Sequence, residues 1–164
     1  MSPLAAEITV VAARPGHIRA IAARMRAADR EEVFAASGRS PLSALSFSYR
    51  HSCQAWTALF DGRPEVMWGV GDLDILTGIG APWLLGTDAV ETNFRGFLRI
   101  SKHWPAQLLG RYRLLRNVVD ARNAVSLRWL EWLGFRLFEP VQINGHAFRL
   151  FEMGEPLKLG ETDV

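Results

Sequence analysis

Apolar positions along this chain fall into short alternating runs and longer helical ones, divided by glycine and proline. EITVVAAR (Glu7 to Arg14) is β-branched in its middle and ends at Pro15-Gly16, which predicts an opening strand. In the stretch that follows, Ile18, Ile21, Ala22, Met25, Ala28 and Val33 sit near helical spacing with arginines on the other face. One long helix or two short ones are predicted there, ending at Ser37-Gly38. Ser40-Pro41 supplies an N-cap and a proline at the first helical position, so PLSALSFSYRHS opens as another helix.

Two strand-like runs come next, QAWTALF (Gln54 to Phe60) and PEVMWGVGDL (Pro64 to Leu73), joined by the tight-hairpin pair Asp61-Gly62. APWLLGTD (Ala81 to Asp88) reads as a short apolar strand. The intervening GVGDLDILTGIG reads as a hairpin whose glycines allow positive φ, since neither of its Gly-x-Gly pairs opens a helix as a phosphate loop must. ETNFRGFLRISKHW is helical, with Phe94, Phe97, Leu98 and Ile100 on its apolar side and a break at Pro105. LLRNVVDA (Leu114 to Ala121) is a strand. NAVSLRWLEWLGF (Asn123 to Phe135) is a helix with both ends marked: Asn123 is an N-cap and Gly134 takes the left-handed position past the end. Phe135 packs back on Leu130, and Val125, Trp129, Trp132 and Leu133 are assigned to the core face. RLFEPVQI and HAFRLFEM pair across Asn144-Gly145, a second tight hairpin.

The order predicts a mixed α/β fold: a central, mostly antiparallel twisted sheet of six to seven strands with about four flanking helices. Residues 1–153 form a single domain and 154–164 a C-terminal tail.

Composition narrows the chemistry. The 164 residues are 49% hydrophobic, with six Trp and nine Phe, which suits a folded globule with a sizeable core. No apolar run approaches the roughly 20 residues that span a bilayer. No basic leader precedes the first apolar stretch, so neither a signal peptide nor a transmembrane segment is expected. Cys53 is the one cysteine and the four histidines lack ligand spacing, which excludes a disulfide and a zinc site from the expectation. The formal net charge is +2, yet the segment from Arg95 to Arg128 holds eight basic residues against Asp120 alone. Such a block can face an anion or simply be solvated, because the chain uses Arg seventeen times and Lys twice. No nucleic-acid reading motif accompanies it.

The capped helix carries a resemblance. Asn123, Ser126, Leu130, Gly134 and Phe135 stand where the fourth-helix motif of the GNAT superfamily of N-acetyltransferases places its Asn, small residue, large residue and Gly-Phe pair. The preceding VVDARN is similar to the family's fifth strand, and the order of elements agrees from Glu7 to Met153. Within the superfamily, PWLLGTDAV, NFRGFLRISKHW, NAVSLRWLEWLGFRLFE and QINGHAFRLFEM resemble the internal virion protein A family of short-tailed phages. That likeness implies a phage-encoded protein in virion assembly or the virion interior, partnered by phage structural proteins, in the particle or the host cytoplasm.

The superfamily resemblance also implies acetyl-CoA as cofactor, and no metal. If CoA binds, Leu85, Gly86 and Thr87 hold the pantetheine arm, Arg95 or Arg99 meets phosphate, and Asn123 and Ser126 complete the site. Two departures count against ordinary chemistry. The segment GTDAVETNFRGFLR lacks the family's pyrophosphate pattern, and Asp88 and Glu91 bring negative charge there. Leu130 occupies the place of the tyrosine that protonates the leaving thiolate in many members. Glu65 and Asp72 are candidate bases, although carboxylates in such a hairpin are ordinarily solvated; the catalytic residues stay unassigned. The resemblance thus implies either a non-catalytic GNAT-fold protein or an acyl-CoA-dependent N-acetyltransferase with an atypical CoA site.

Overall fold

The computed structural model describes residues 4–156. Seven strands form one sheet in the order β1-β2-β3-β4-β5-β7-β6: β1 Ile8–Ala12, β2 Gln54–Phe60, β3 Arg63–Asp74, β4 Ile79–Gly86, β5 Leu114–Asp120, β6 Arg136–Ile143 and β7 His146–Gly154. All neighbours pair antiparallel except β4 and β5, which run parallel. Seven helical segments cover the sheet: α1 Pro15–Ala22, α2 Ala27–Ser37, α3 Pro41–Arg50, α4 Ala89–Thr92, α5 Phe94–Ser101, α6 Trp104–Leu109 and α7 Ala124–Leu133. The excess over the predicted four comes from three breaks. The first long amphipathic stretch divides between α1 and α2, and the basic stretch divides into three short helices, with Pro105 in the first turn of α6.

Both predicted hairpins form. Asp61 and Gly62 have φ 50° and 80°, and Asn144 and Gly145 have φ 50° and 78°. Positive φ at both central residues is the tight turn whose twist matches its flanking strands. The β3–β4 hairpin differs from its expectation, because only Gly78 there has positive φ. Gly69 and Gly71 serve close packing instead: a Cβ on them would lie 2.5 Å from the Gln54 carbonyl oxygen and 2.7 Å from that of His51. The predicted tail lies outside the described residues beyond Pro156, and Gly154 closes β7.

α7 ends as its sequence requires. The Asn123 side chain accepts from the Ser126 N–H, while Gly134, at φ 99°, and Phe135 donate their N–H groups to Glu131 and Leu130. This is the reciprocal C-terminal closure of a helix ending on a left-handed glycine. The core face is turned from the one predicted. Trp129 and Leu130 are buried, whereas Trp132 is 50% exposed.

Two apolar layers sandwich the sheet. On one face Ile18, Ile21, Met25 and Leu45 pack on Met67 and Leu85; on the other, Phe97, Trp104, Leu108 and Trp129 pack on Val66, Trp68 and Leu115. Helices α1 to α3 therefore cover one face and α4 to α7 the other.

Candidate functional site

The parallel pair β4–β5 joins only at its start, through Ile79–Leu114 and Gly80–Leu115. Beyond these residues the strands separate, and their facing edges present backbone groups that need partners. The N-terminal half of α2 supplies most of them. Gly86, at the end of β4, donates its N–H to Asp29 Oδ2 at 2.9 Å and accepts from the Arg26 N–H at 2.9 Å. Asp120, at the end of β5, donates its N–H to Glu32 Oε2 at 3.0 Å. Deeper in the gap, Asn117 donates from Nδ2 to the Pro82 carbonyl at 2.9 Å, and its Oδ1 accepts from the Val118 N–H at 2.8 Å. Side chains thus tie the two diverging strands together.

Arg26 is the centre of this closure. It is 3% exposed, and its guanidinium donates to Asp29 (2.8 Å), Glu91 (3.0 Å), Asn123 Oδ1 (3.2 Å) and Ser126 Oγ (2.8 Å), leaving only Nε without a partner. Arg26 was expected on a solvated helix face; its burial is a correction, caused by these four acceptors. Burial raises the Asp29 carboxyl above its ordinary value, and the adjacent guanidinium opposes that shift. Glu32 receives less help. Burial, then the Asp29 charge, raise it from 4.5 to about 7 against the bonds from Asp120 and Asn123. Its Oε2 takes both bonds, the second from Asn123 Nδ2 at 3.1 Å.

Gly86 is therefore linked to Asn123 and Ser126 across the gap through Arg26, while Thr87 bonds to Glu65 and the Leu85 side chain lies in the core. Arg95 and Arg99 do not join them: both are exposed on α5, which packs toward β1 at the far edge of the sheet. Glu65, expected in solvent, is buried instead. It pairs with Arg24 at 2.7 Å and accepts from the Thr87 hydroxyl. Asp72 accepts from the Tyr112 hydroxyl at 2.7 Å, and this bond holds its carboxyl below the usual range. Among the described residues no group of three His, Cys, Asp or Glu could hold a metal ion, and no helix is long and apolar enough to cross a membrane.

The turn after β4 is where the superfamily resemblance would put the CoA pyrophosphate. Four of its amides are already engaged: Thr87 donates to the Glu65 carbonyl, Ala89 to the Thr87 hydroxyl, Val90 to the Thr87 carbonyl and Glu91 to the Asp88 carbonyl. Glu65 and Glu91 bring negative charge there but are paired with Arg24, Arg63 and Arg26, and Arg30 lines the same cleft beside Asp88. A pyrophosphate held on backbone amides needs free N–H donors, so this turn does not fit the group in that manner. Gly86, one of the residues whose backbone the resemblance sets against the pantetheine arm, is likewise taken on both its N–H and its carbonyl.

A partly open cleft of about 330 Å³ lies in the wedge between β4 and β5. Val33, Phe47, Trp83, Val119 and Phe148 give it a largely apolar wall, and Glu32 stands on its rim. Sequence reasoning did not find Arg26, Asp29 and Glu32. The available signal was their spacing of three within MRAADREE, which puts them along one side of a helix.

No family model matches the chain, and no curated protein does. Solved structures do. The ribosomal-protein-S18-alanine N-acetyltransferase from Escherichia coli superposes with a TM-score of 0.62 at 14% identity, covering 96% of this chain and 99% of its own. A GNAT family acetyltransferase from Elizabethkingia anophelis with acetyl-CoA bound gives 0.58 at 12% identity, over 90% and 98%. A GCN5-related N-acetyltransferase from Kribbella flavida gives 0.62 at 16% identity, over 92% and 98%. These structures are acetyltransferases, and none is described as a virion protein. The chain has the fold of the GNAT N-acetyltransferases.

Proposed function

We propose that this chain is a GNAT-fold protein that does not hold CoA in the β4–β5 groove and acts through contacts with other proteins. One observation carries the reading: α2 and its N-cap residue Arg26 occupy Gly86 and Asn123 in the groove, with Arg26 and Asp29 on Gly86 and Arg26 and Glu32 on Asn123. The engaged turn amides and the apolar Leu130 point the same way. For the setting, the support is the sequence alone: PWLLGTDAV and NAVSLRWLEWLGFRLFE resemble the phage internal virion protein A family, which favours a part in virion assembly alongside phage structural proteins.

A second reading is an acyl-CoA-dependent N-acetyltransferase with an atypical CoA site. It is favoured by the wedge cavity and by Glu32, whose carboxyl near 7 has the basicity a general base for an amine needs. Acetyl-CoA separates the two. At about 100 times its Kd, a ligand adds ~2.7 kcal/mol of stability, a melting shift of roughly 5 to 10 °C for a domain of this size. No shift at millimolar acetyl-CoA is the expected result; a shift of that size, with release of free thiol in the presence of an amine, would establish the enzyme instead.

A further inference from the structure

Helix α2 is fastened by polar bonds more than by apolar packing. Asp29 and Ala35 are its buried residues, and Phe34 is 66% exposed. Val33 and Ala36 line the wedge cleft of about 330 Å³, so open space lies between the second half of the helix and strands β4 and β5. Protein interiors are close-packed, and a helix over such a space gives up much of the contact that would hold it down.

The two halves of α2 are tied differently. At its start, Arg26 and Asp29 are 3% and 2% exposed, pair at 2.8 Å, and both bond to the Gly86 backbone. In the second half, Glu32 accepts from the Asp120 N–H at 3.0 Å and from Asn123 Nδ2 at 3.1 Å. The Ala36 carbonyl accepts from Asn144 Nδ2 at 2.8 Å, an exposed bond to the β6–β7 turn. Gly38, at φ 68°, then ends the helix in the left-handed conformation. From Asp29 to Ser37 the helix forms a lever roughly 12 Å long.

Like charge gathers under the middle of that lever. Glu32 faces Asp29 on its own helix and Asp120 at the end of β5. The nearby guanidiniums are committed elsewhere: Arg26 to Asp29 and to Glu91 of α4, Arg122 to Asp120 with Glu31 bearing on it. His146 of β7 bears on Asp120, and Arg39, at the cleft edge, sits 4.1 Å over the Phe47 ring. Burial and then Asp29 raise the Glu32 carboxyl from 4.5 to about 7. Ionised, Glu32 stands beside two carboxyls with no guanidinium paired to it among the described residues; protonated, it repels neither.

We propose that α2 is a hinged lid on the wedge cleft: it pivots on Arg26 and Asp29, and its half from Glu32 to Ser37 lifts when Glu32 ionises. The lid rests on the reading in which α2 occupies the groove, and adds that only the start of the helix is fixed there. Lifting frees the Asp120 N–H and the Ala36 carbonyl and leaves Gly86 bonded.

Residue-resolved hydrogen–deuterium exchange of the full chain at pH 6 and pH 8, corrected for intrinsic rates, reads the lid. A melting shift with acetyl-CoA would end the underlying reading; this exchange test contains no acetyl-CoA and fails only if the lid does. Protection of the Asp120 amide should be about tenfold lower at pH 8 than at pH 6, because the closed lid binds the Glu32 proton more tightly than the lifted one. Gly86 should show no such change. Glu32→Gln, which keeps an acceptor for Asp120 and Asn123, should remove the pH dependence. Asn144→Asp sets a carboxylate against the Ala36 carbonyl, and should lower Asp120 protection by about threefold to tenfold. Equal loss at Gly86 and Asp120, or loss at neither, overturns the proposal. Asp120 protection unmoved by Asn144→Asp overturns the hinge, since the far half would not lift as one piece. A pH dependence that survives in Glu32→Gln overturns the assignment to Glu32.

Discussion

Asp29 accepts the backbone N–H of Gly86 at 2.9 Å across 57 residues of chain. The same carboxylate takes the Arg26 guanidinium at 2.8 Å on its other oxygen. One side chain thus seals the edge of β4 and fixes the cation that reaches α7. Removing it leaves both a buried N–H and a buried guanidinium short of a partner. Asp29→Ala should destabilise the fold by about 3–5 kcal/mol, measured as a lower urea midpoint with an unchanged slope.

Glu32 makes stability depend on pH in an unusual direction. Its folded-state value is raised from 4.5 to about 7, so the folded chain binds the proton more tightly than the unfolded chain does. Its contribution is therefore fully present below pH 4.5, declines as pH rises, and is gone above about 7. Asp72, Asp74 and Asp120 are shifted the other way and lose stability only in more acidic solution. The difference between the native chain and Glu32→Gln isolates the effect. Relative to the variant, the native chain should lose about 1–3 kcal/mol across that window; a flat difference would remove the raised carboxyl from the account.

Leu130 stands where many GNAT enzymes carry a tyrosine, and here it is part of the core beside Trp129 and Phe135. Leu130→Tyr should not restore acetyl transfer, because Gly86 and Asn123 remain engaged by α2. It should cost about 1–3 kcal/mol by overpacking, and thiol release from acetyl-CoA should stay at background.

Gly80 lies against Tyr112. A Cβ there would stand 2.7 Å from the ring, whose hydroxyl holds Asp72. Gly80→Ala should shift the ring and weaken that bond, lowering stability by about 1–3 kcal/mol, while Tyr112→Phe should lose only about 0.5–1.5 kcal/mol. Thermal melts of the two variants give the comparison.

Much of the fold is legible in the chain because its signals are local. Asp61-Gly62 and Asn144-Gly145 write their own turns, and Asn123 and Gly134 write both ends of α7. The groove closure is not local. Arg26, Asp29 and Glu32 are charged residues on a helix, and such a row ordinarily faces solvent. Only the pairing of that helix with strand ends 57 and 88 residues away buries Arg26 and Asp29 and turns Glu32 inward. Trp132 shows the reverse case: a large aromatic reads as core, yet the face of α7 that meets the sheet is set by Trp129 and Leu130. Asn123 and Ser126 stand in the capped-helix motif, whereas nothing local in the sequence marks Arg26, Asp29 and Glu32 as the residues that bond to them and to Gly86.

The amides of Gly86 and Asp120 lie on strand edges with no strand opposite, where an unpaired N–H would exchange freely with solvent. Their protection depends on the Asp29 and Glu32 carboxylates. Residue-resolved hydrogen–deuterium exchange of the native chain measures this closure directly. Both amides should exchange at least about a thousandfold more slowly than an unstructured chain, and Asp29→Asn should release Gly86 selectively. Rapid exchange at both positions in the native protein would mean that α2 does not hold the groove shut, and the account would fail.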